Sequence, residues 1–93
     1  MAETSVVRSG NRYEVRVDGE VAGSAHFRIT PEAVVFTHTI VKPEYEGHGV
    51  GSTLARGALD DVRARGERVV AECPFIAAYI DKHPEYADLL VAS

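Results

Sequence analysis

Apolar and polar residues alternate along the first third of the chain in the manner of β-strands. The alternation is regular over Arg12–Val17, with a shorter strand before it at Ser5–Arg8. Asp18-Gly19 is a two-residue turn sequence of the type I′ kind, and a second arm follows from Glu20 to Ile29. The pattern therefore predicts an antiparallel meander.

The segment Ala33–Val41 is denser in apolar and β-branched residues and ends before Pro43. Such density favours a central strand that is covered on both sides. A strict period of two assigns the side chains of this strand to two faces. One face carries Val34, Phe36, His38 and Ile40, and the other carries Val35, Thr37, Thr39 and Val41.

The spacing of apolar residues changes from strand-like to helical after residue 51. One helical face carries Leu54, Ala55, Ala58, Leu59 and Val62. Gly66 is placed to end this helix, and Glu67–Glu72 reads as a short strand. Because a strand, a helix and a strand follow one another, we expect the two strands to be parallel.

Two short helices, over 75–82 and 84–91, are predicted to complete the chain, with a break at His83-Pro84. The 93 residues suit one domain, residues 1–93, and one compact core. We therefore predict an α+β fold in which an antiparallel meander leads into one parallel strand pair, with helices packed on the sheet.

Composition excludes several classes of function. The formal net charge of −4 argues against general nucleic-acid binding, which needs a basic surface. No apolar run approaches the roughly 20 residues that span a bilayer, so no membrane partner is expected. The first residues do not read as a secretory signal, and the single cysteine, Cys73, fits a reducing compartment, so we expect a cytoplasmic protein.

A glycine loop lies between the dense strand and the helix. Its sequence is Glu46-Gly47-His48-Gly49-Val50-Gly51-Ser52. Glycines at alternate positions leave the backbone amides uncovered, and the positive end of the helix dipole lies behind them. This arrangement predicts a cradle for the phosphate groups of a ligand.

Three glycine-loop chemistries compete for this assignment. A Walker A loop needs Gly-Lys-Ser/Thr, which the chain lacks. A dinucleotide fingerprint needs G-x-G-x-x-G and an acidic residue about 20 residues later, and Glu72 is the candidate for that acidic residue. A meander with a single strand–helix–strand unit does not suit that fold. The third candidate is a loop that binds acyl-coenzyme A.

The third loop type belongs to the GNAT acetyltransferase superfamily, whose signature is Q/R-x-x-G-x-G/A between the fourth strand and the next helix. Gly49 and Gly51 occupy its glycine positions, and Glu46 replaces the usual arginine or glutamine. With His38-Thr39-Ile40-Val41, Cys73–Ile80 and His83–Tyr86, the chain resembles the minimal single-domain branch of that superfamily over about residues 5–91.

This resemblance implies an acetyl-coenzyme A or coenzyme A ligand and an amine acceptor, either a small molecule or a protein. It also implies that the fourth and fifth strands splay apart and receive the pantetheine arm. Backbone groups of Thr39, Ile40 and Val41 would bind that arm, as in β-strand addition. The diphosphate would rest on the amides from Glu46 to Ser52, and the thioester would lie near Cys73.

Three side chains are candidates for the chemistry. Tyr79 matches the tyrosine that larger relatives use as an acid, and a core aromatic is the alternative. Cys73 could carry the acyl group as a thioester if Pro74 begins a helix and makes Cys73 its N-cap; a small buried hydrophobe is the alternative. His38 could act as a base, because histidine titrates near neutral pH, and a partly buried structural histidine is the alternative.

Two further expectations concern ligands and partners. The four histidines and Cys73 show no local metal-ligand spacing, so no metal site is expected. The position of Ile40 is often acidic in similar proteins, and this difference leaves open a non-catalytic module that binds coenzyme A or its acetyl ester. A monomer or a weak homodimer is expected for either function.

Overall fold

The computed structural model describes residues 3–47 and 49–91, which form a five-stranded sheet and its helices. The strands are β1 Thr4–Ser9, β2 Arg12–Val17, β3 Glu20–Ile29, β4 Val34–Val41 and β5 Val69–Ala71. The helices are α1 Val50–Ala64, α2 Pro74–Lys82 and two 3₁₀ helices, Pro43–Tyr45 and Pro84–Leu89. The strand order is β1-β2-β3-β4-β5, antiparallel up to β4 and parallel between β4 and β5. The predicted α+β fold is confirmed.

The β2–β3 hairpin forms where the sequence predicts it. Asp18 and Gly19 both have positive φ, 51° and 84°, as a type I′ turn requires. Gly66, at φ 72°, follows the end of α1 and occupies the predicted position at its C-terminus.

Helices cover one face of the sheet. The predicted apolar face of α1 is buried, with Leu54, Leu59 and Val62 at 0% exposure. It packs with sheet residues such as Phe36, and α2 adds Ile76 to the same core. In the described ranges, 3–47 and 49–91, no helix combines the length and the apolar character that crossing a bilayer demands.

The opposite face of the sheet carries mainly polar side chains, and we call it the open face. The strand register defines one row of side chains on this face across β2, β3 and β4. In this row Arg12 pairs with His26, and His26 pairs with His38. A neighbouring row joins Glu14, Ser24 and Ile40. Other members of this face are Arg16, Arg28 and Val35.

A β-bulge in β4 overturns the predicted assignment of side chains to faces. Phe36 pairs with Phe27, but His38 pairs with His26, so Thr37 is an extra residue on β4. An extra residue reverses the alternation beyond it. His38 therefore lies on the open face, opposite to Phe36, and the prediction that they share a face was wrong.

The bulge also divides β4 into two parts of different burial. Val34, Val35 and Phe36 are at most 3% exposed, whereas Ile40 is 54% exposed. The prediction that both sides of the whole strand are covered holds only for the first of these parts.

Candidate functional site

The strands β4 and β5 separate beyond Phe36 and leave a gap. Their register ends at Phe36 and Ala71, and the Phe36 carbonyl accepts the N–H groups of both Glu72 and Cys73, at 3.0 and 2.9 Å. Beyond this point β5 turns into α2, while β4 continues to Val41. The second part of β4 therefore has β3 on one side and the gap on the other.

The backbone of Thr39 and Val41 is directed towards this gap. Lys42 donates its N–H to the carbonyl of Ala22 on β3, at 2.8 Å. Because backbone groups along a strand alternate between its two edges, Val41 and Thr39 face away from β3. Ile40 faces β3 instead, where it is paired with Ser24.

A cavity of about 360 Å³ lies where the gap meets the start of α1. Its wall comes from the end of β4, the glycine loop and α2: Val41, Tyr45, Glu46, Gly47, Gly49, Val50, Gly51, Ser52 and Phe75. The glycine loop and the strand edge, identified separately from the sequence, thus form one site.

The start of α1 presents backbone amides to this cavity. Gly49 is the N-cap of the helix and has φ 74°, and Gly47 has φ 83°. The first helical hydrogen bond joins the Thr53 N–H to the Gly49 carbonyl at 3.0 Å, so the amides of residues 50–52 precede the helical ladder. His48, the remaining loop position of the predicted cradle, lies outside the described residues.

At two positions of the loop, glycine is required because the backbone φ is positive, not because a side chain would clash. A Cβ at Gly47 or Gly49 would meet no protein atom within 4 Å, but positive φ strains other residues. At both positions an added Cβ would therefore meet open space, and only the backbone conformation requires glycine. At Gly51 the reason differs, because a Cβ there would lie 2.9 Å from Cζ of Phe75.

Cys73 lies beside the gap on the side covered by helices. It is 1% exposed, and its Sγ is 3.3 Å from Oγ1 of Thr39. Cys73 is the N-cap of α2 and Pro74 is the first residue of that helix, as the sequence predicts. The structure thus brings together two predicted site residues that are 34 positions apart.

Tyr79 lines a second cavity. This cavity, of about 220 Å³, is lined by Ser52, Phe75, Ala78, Tyr79, Lys82 and His83. The Tyr79 ring stacks on His83 with centroids 4.1 Å apart. Burial raises the pKa of Tyr79 above its ordinary value, so the phenol is protonated at neutral pH.

His38 is exposed on the open face, where it stacks on His26. The ring centroids are 4.4 Å apart and the planes differ by 10°. The Thr37 hydroxyl lies 3.3 Å from the His26 carbonyl and 3.4 Å from Nδ1 of His38. The structure therefore places His38 on the open face of the sheet and Cys73 on the face covered by helices.

Sequence reasoning missed two aromatic residues of the site. Phe75, 40% exposed, separates the two cavities and lines both. Tyr45 lines the first cavity, and its hydroxyl donates to Oε2 of Glu20 at 3.3 Å, which connects the 3₁₀ helix before the glycine loop to the β2–β3 hairpin. Phe75 lies in an apolar helical pattern that predicts a core position, so only its neighbours in the folded structure identify it as a residue of the site.

The groups of the site that could take part in the chemistry are backbone amides, the Cys73 thiol, the Tyr79 phenol and the His38 imidazole. Within the described part of the chain, no cluster of three histidine, cysteine or acidic side chains could hold a metal ion. The available groups suit an anionic ligand at the helix start and proton transfer at the two faces of the gap.

Comparison with known proteins identifies similar chains. Residues 12–89 match the family model described as GCN5-related N-acetyl-transferase. No curated protein matches the chain. The structure resembles the solution structure of a GCN5-like protein from Staphylococcus aureus, with TM-score 0.71 and 20% identity, covering 96% of this chain and 89% of that one.

A second solved structure is similar over less of its own length. The crystal structure of ribosomal-protein-alanine N-acetyltransferase from Brucella melitensis biovar Abortus 2308 gives TM-score 0.59 and 24% identity. The match covers 88% of this chain but 63% of that one. At these identities the two solved structures show only a shared fold, so the family assignment rests on the family model.

Proposed function

The chain belongs to the GCN5-related N-acetyltransferase family and is an acetyltransferase, and we propose that it takes its acetyl group from acetyl-coenzyme A and delivers it to an amine. One observation carries the choice of donor. The unpaired edge of β4 and the start of α1 meet in a single cavity. A long donor with a diphosphate at one end and an amide-containing arm at the other would satisfy both.

The glycine loop fits the diphosphate of coenzyme A. We assign this contact to the amides from Glu46 to Ser52, with His48 included because the sequence places it in the loop. The positive φ of Gly47 and Gly49 supports the assignment, and so does the open space that a Cβ at either position would meet. The first turn of α1 contains no acidic residue, so no carboxylate within it opposes the anion.

The edge of β4 fits the pantetheine arm, which carries amide groups. We assign hydrogen bonds to the backbone of Thr39 and Val41, because both face the gap. Ile40 shares this segment, but its backbone is directed to β3 and its side chain to the open face. In this proposal its contribution is to hold the strand edge in place.

When bound, acetyl-coenzyme A would supply an activated acetyl thioester, and the protein would supply the proton transfers. Helices cover one face of the gap, so an acceptor amine would approach from the open face. His38 lies on that face and would accept a proton from the attacking amine. This geometry supports the role of general base for His38.

The leaving thiolate needs a proton from the covered side. Tyr79 is protonated and lies on this side, which supports the role of general acid. Cys73, held against Thr39 beside the gap, would contact the thiol end of the donor. In an acyl relay, the acetyl group would pass from the sulfur of coenzyme A to Sγ of Cys73, and coenzyme A would leave as the free thiol with the proton that Cys73 gives up. The amine would then attack the Cys73 thioester.

Direct transfer and the relay are distinguished by Cys73→Ala. Turnover that falls by less than about threefold supports direct transfer to the amine, since loss of a covalent nucleophile costs far more. A fall of a hundredfold or more, with unchanged affinity for coenzyme A, supports the relay.

The main test combines calorimetry with turnover. We expect heat on titration with coenzyme A, and release of free thiol from acetyl-coenzyme A in the presence of a panel of amines. Gly49→Glu would place a charged side chain in the cradle and lower the affinity at least about tenfold. Gly10→Glu is the matched control, because Gly10 also has positive φ, 58°, with nothing within 4 Å.

The outcomes separate the components of the proposal. Binding without thiol release on any amine would favour a coenzyme A-binding module over the enzyme. Equal affinity of Gly49→Glu and Gly10→Glu would show that the cradle is assigned wrongly. The absence of any binding would overturn the choice of donor.

A further inference from the structure

The open face contains two stacked imidazoles, of which the proposed mechanism uses only one. His26 on β3 and His38 on β4 are direct cross-strand partners. Their nearly parallel rings have centroids 4.4 Å apart. His38 is exposed and His26 is half-buried, so His26 is the better fixed of the two.

We propose that His26 is a positioning residue for His38, a ring on which the His38 imidazole rests and which keeps it beside the gap. This inference rests on the proposed role of His38 as the general base. An exposed histidine on a strand otherwise samples several rotamers, and the stack selects one of them. A general base must lie within hydrogen-bond reach of the proton that it takes, so a fixed rotamer favours transfer.

Neighbouring hydroxyl groups support both rings. Oγ of Ser24 lies 3.1 Å from Nε2 of His26. The Thr37 hydroxyl donates to the His26 carbonyl, so its contact with Nδ1 of His38 requires that nitrogen to carry the proton. In the neutral ring this assignment leaves Nε2 of His38 unprotonated and able to accept a proton from an amine.

Charges around the pair favour a neutral His26. Burial lowers the pKa of His26, and the charges of His38 and Arg12 lower it further. Arg12 on β2 also donates a hydrogen bond to Glu14, and Arg28 on the same face is paired with Glu72. A neutral ring can remain stacked on His38 while His38 gains and loses a proton.

Two substitutions at position 26 test the positioning role. His26→Phe keeps a flat ring and removes the titrating nitrogens, whereas His26→Asn removes the ring. We expect kcat to fall about tenfold in His26→Asn and by less than about threefold in His26→Phe, because a misplaced base costs rate and a retained ring does not. Arg28→Gln, a change elsewhere on the open face, is the control and should leave kcat unchanged.

A measurement independent of activity tests the coupling of the two rings. Titration of the histidine ring protons by NMR should show that the pKa of His26 rises in His38→Phe, because a like charge has been removed. The expected rise is at least about 0.5 pH unit for charges at this separation. An unchanged pKa of His26 would overturn the coupling.

The kinetic outcomes separate this inference from the proposed function. Equal losses of kcat in His26→Phe and His26→Asn would overturn the positioning role of the ring. If both variants at position 26 are active and the separate variant His38→Phe is fully active, the role of His38 as base is overturned, and the inference with it. Absence of turnover in the unaltered protein would contradict the proposed function, and the NMR titration would still decide whether the rings are coupled.

Discussion

The two parts of β4 have a similar sequence character and very different surroundings. Val34–Phe36 pairs with β3 on one side and β5 on the other, and its side chains are buried on both faces. Beyond the bulge at Thr37, residues 38–41 pair with β3 alone and border the gap. Both parts are rich in β-branched or aromatic residues, so strand propensity does not explain the difference.

The difference comes from the neighbouring elements. β5 has only three residues, and its end at Ala71 leaves the second part of β4 without a parallel partner. The bulge at Thr37 marks the transition and turns His38 to the open face. The first part therefore contributes stability, whereas the second part carries the backbone and side-chain groups that the proposed ligands would contact.

The largest effect that this contrast predicts is on stability. Phe36→Ala should lower the free energy of unfolding by about 3–5 kcal/mol, because Phe36 is 0% exposed and its loss leaves a cavity. Ile40→Ala, in the second part, should change it by less than about 0.5 kcal/mol, since Ile40 is 54% exposed. Denaturant unfolding measures both, and similar losses would contradict the division of the strand.

A glycine pair tests whether the geometry of the second part matters for the ligand. A Cβ at Gly23 would lie 2.7 Å from the carbonyl oxygen of Ile40, so Gly23→Ala must displace the edge of β4. We expect a loss of about 1–3 kcal/mol in unfolding free energy, as for other overpacked sites. The affinity for coenzyme A, measured by calorimetry, should fall as well.

Gly57→Ala is the matched control for this experiment. Its Cβ would lie 2.7 Å from Cβ and Cγ2 of Val6, at the contact of α1 with β1, far along the sheet from the gap. It should also destabilise the protein, although the higher helix propensity of alanine offsets about 1 kcal/mol. Its affinity for coenzyme A should stay unchanged. A parallel fall in both variants would show that lost stability, not strand geometry, lowers binding.

The first part of β4 is the part that the sequence predicts well. Alternation and helical spacing depend on residues close in the chain, and the predicted strands, the buried face of α1 and the parallel pairing of β4 with β5 are all observed. The positive φ of Gly47 and Gly49 likewise agrees with a glycine loop predicted from local composition.

The second part could not be predicted in the same way. No glycine or proline marks the bulge at Thr37, so a regular period of two placed His38 on the wrong face. The contact of Thr39 with Cys73 and the stack of His38 on His26 join residues that are distant in the chain. Such contacts are fixed by register and by the path of β5, which one sequence does not specify.

A smaller effect should follow from Thr39→Val, which keeps the shape of the side chain and removes its hydroxyl. The contact with Sγ of Cys73 would be lost, at a cost of about 0.5–1.5 kcal/mol in unfolding free energy. Because Thr39 is proposed to bind the donor through its backbone, the calorimetric affinity for coenzyme A should be retained. A tenfold weaker affinity would instead assign the binding role to the hydroxyl.

The smallest effect concerns the open face and depends on pH. Hydrogen bonds from Arg16 and Arg12 to the Glu14 carboxylate lower the pKa of this glutamate. A lowered folded pKa means that the stabilisation is complete above the ordinary value of 4.5 and is lost as the pH falls through the folded value. Because nearly half of each arginine side chain is exposed, solvent screens the ion pairs, and the stabilisation should be below about 1 kcal/mol.

Glu14→Gln tests this charge pattern at the row that ends at Ile40. Its unfolding free energy should lie below that of the unaltered protein between pH 6 and 8, and the difference should shrink as the pH falls below about 4.5, where the native carboxylate gains its proton. Glu32→Gln, at an exposed position between β3 and β4, is the control and should show a smaller difference. A difference that stays constant down to the acid transition would mean that Glu14 acts through packing, and the open face would then resemble the first part of β4 more than the second.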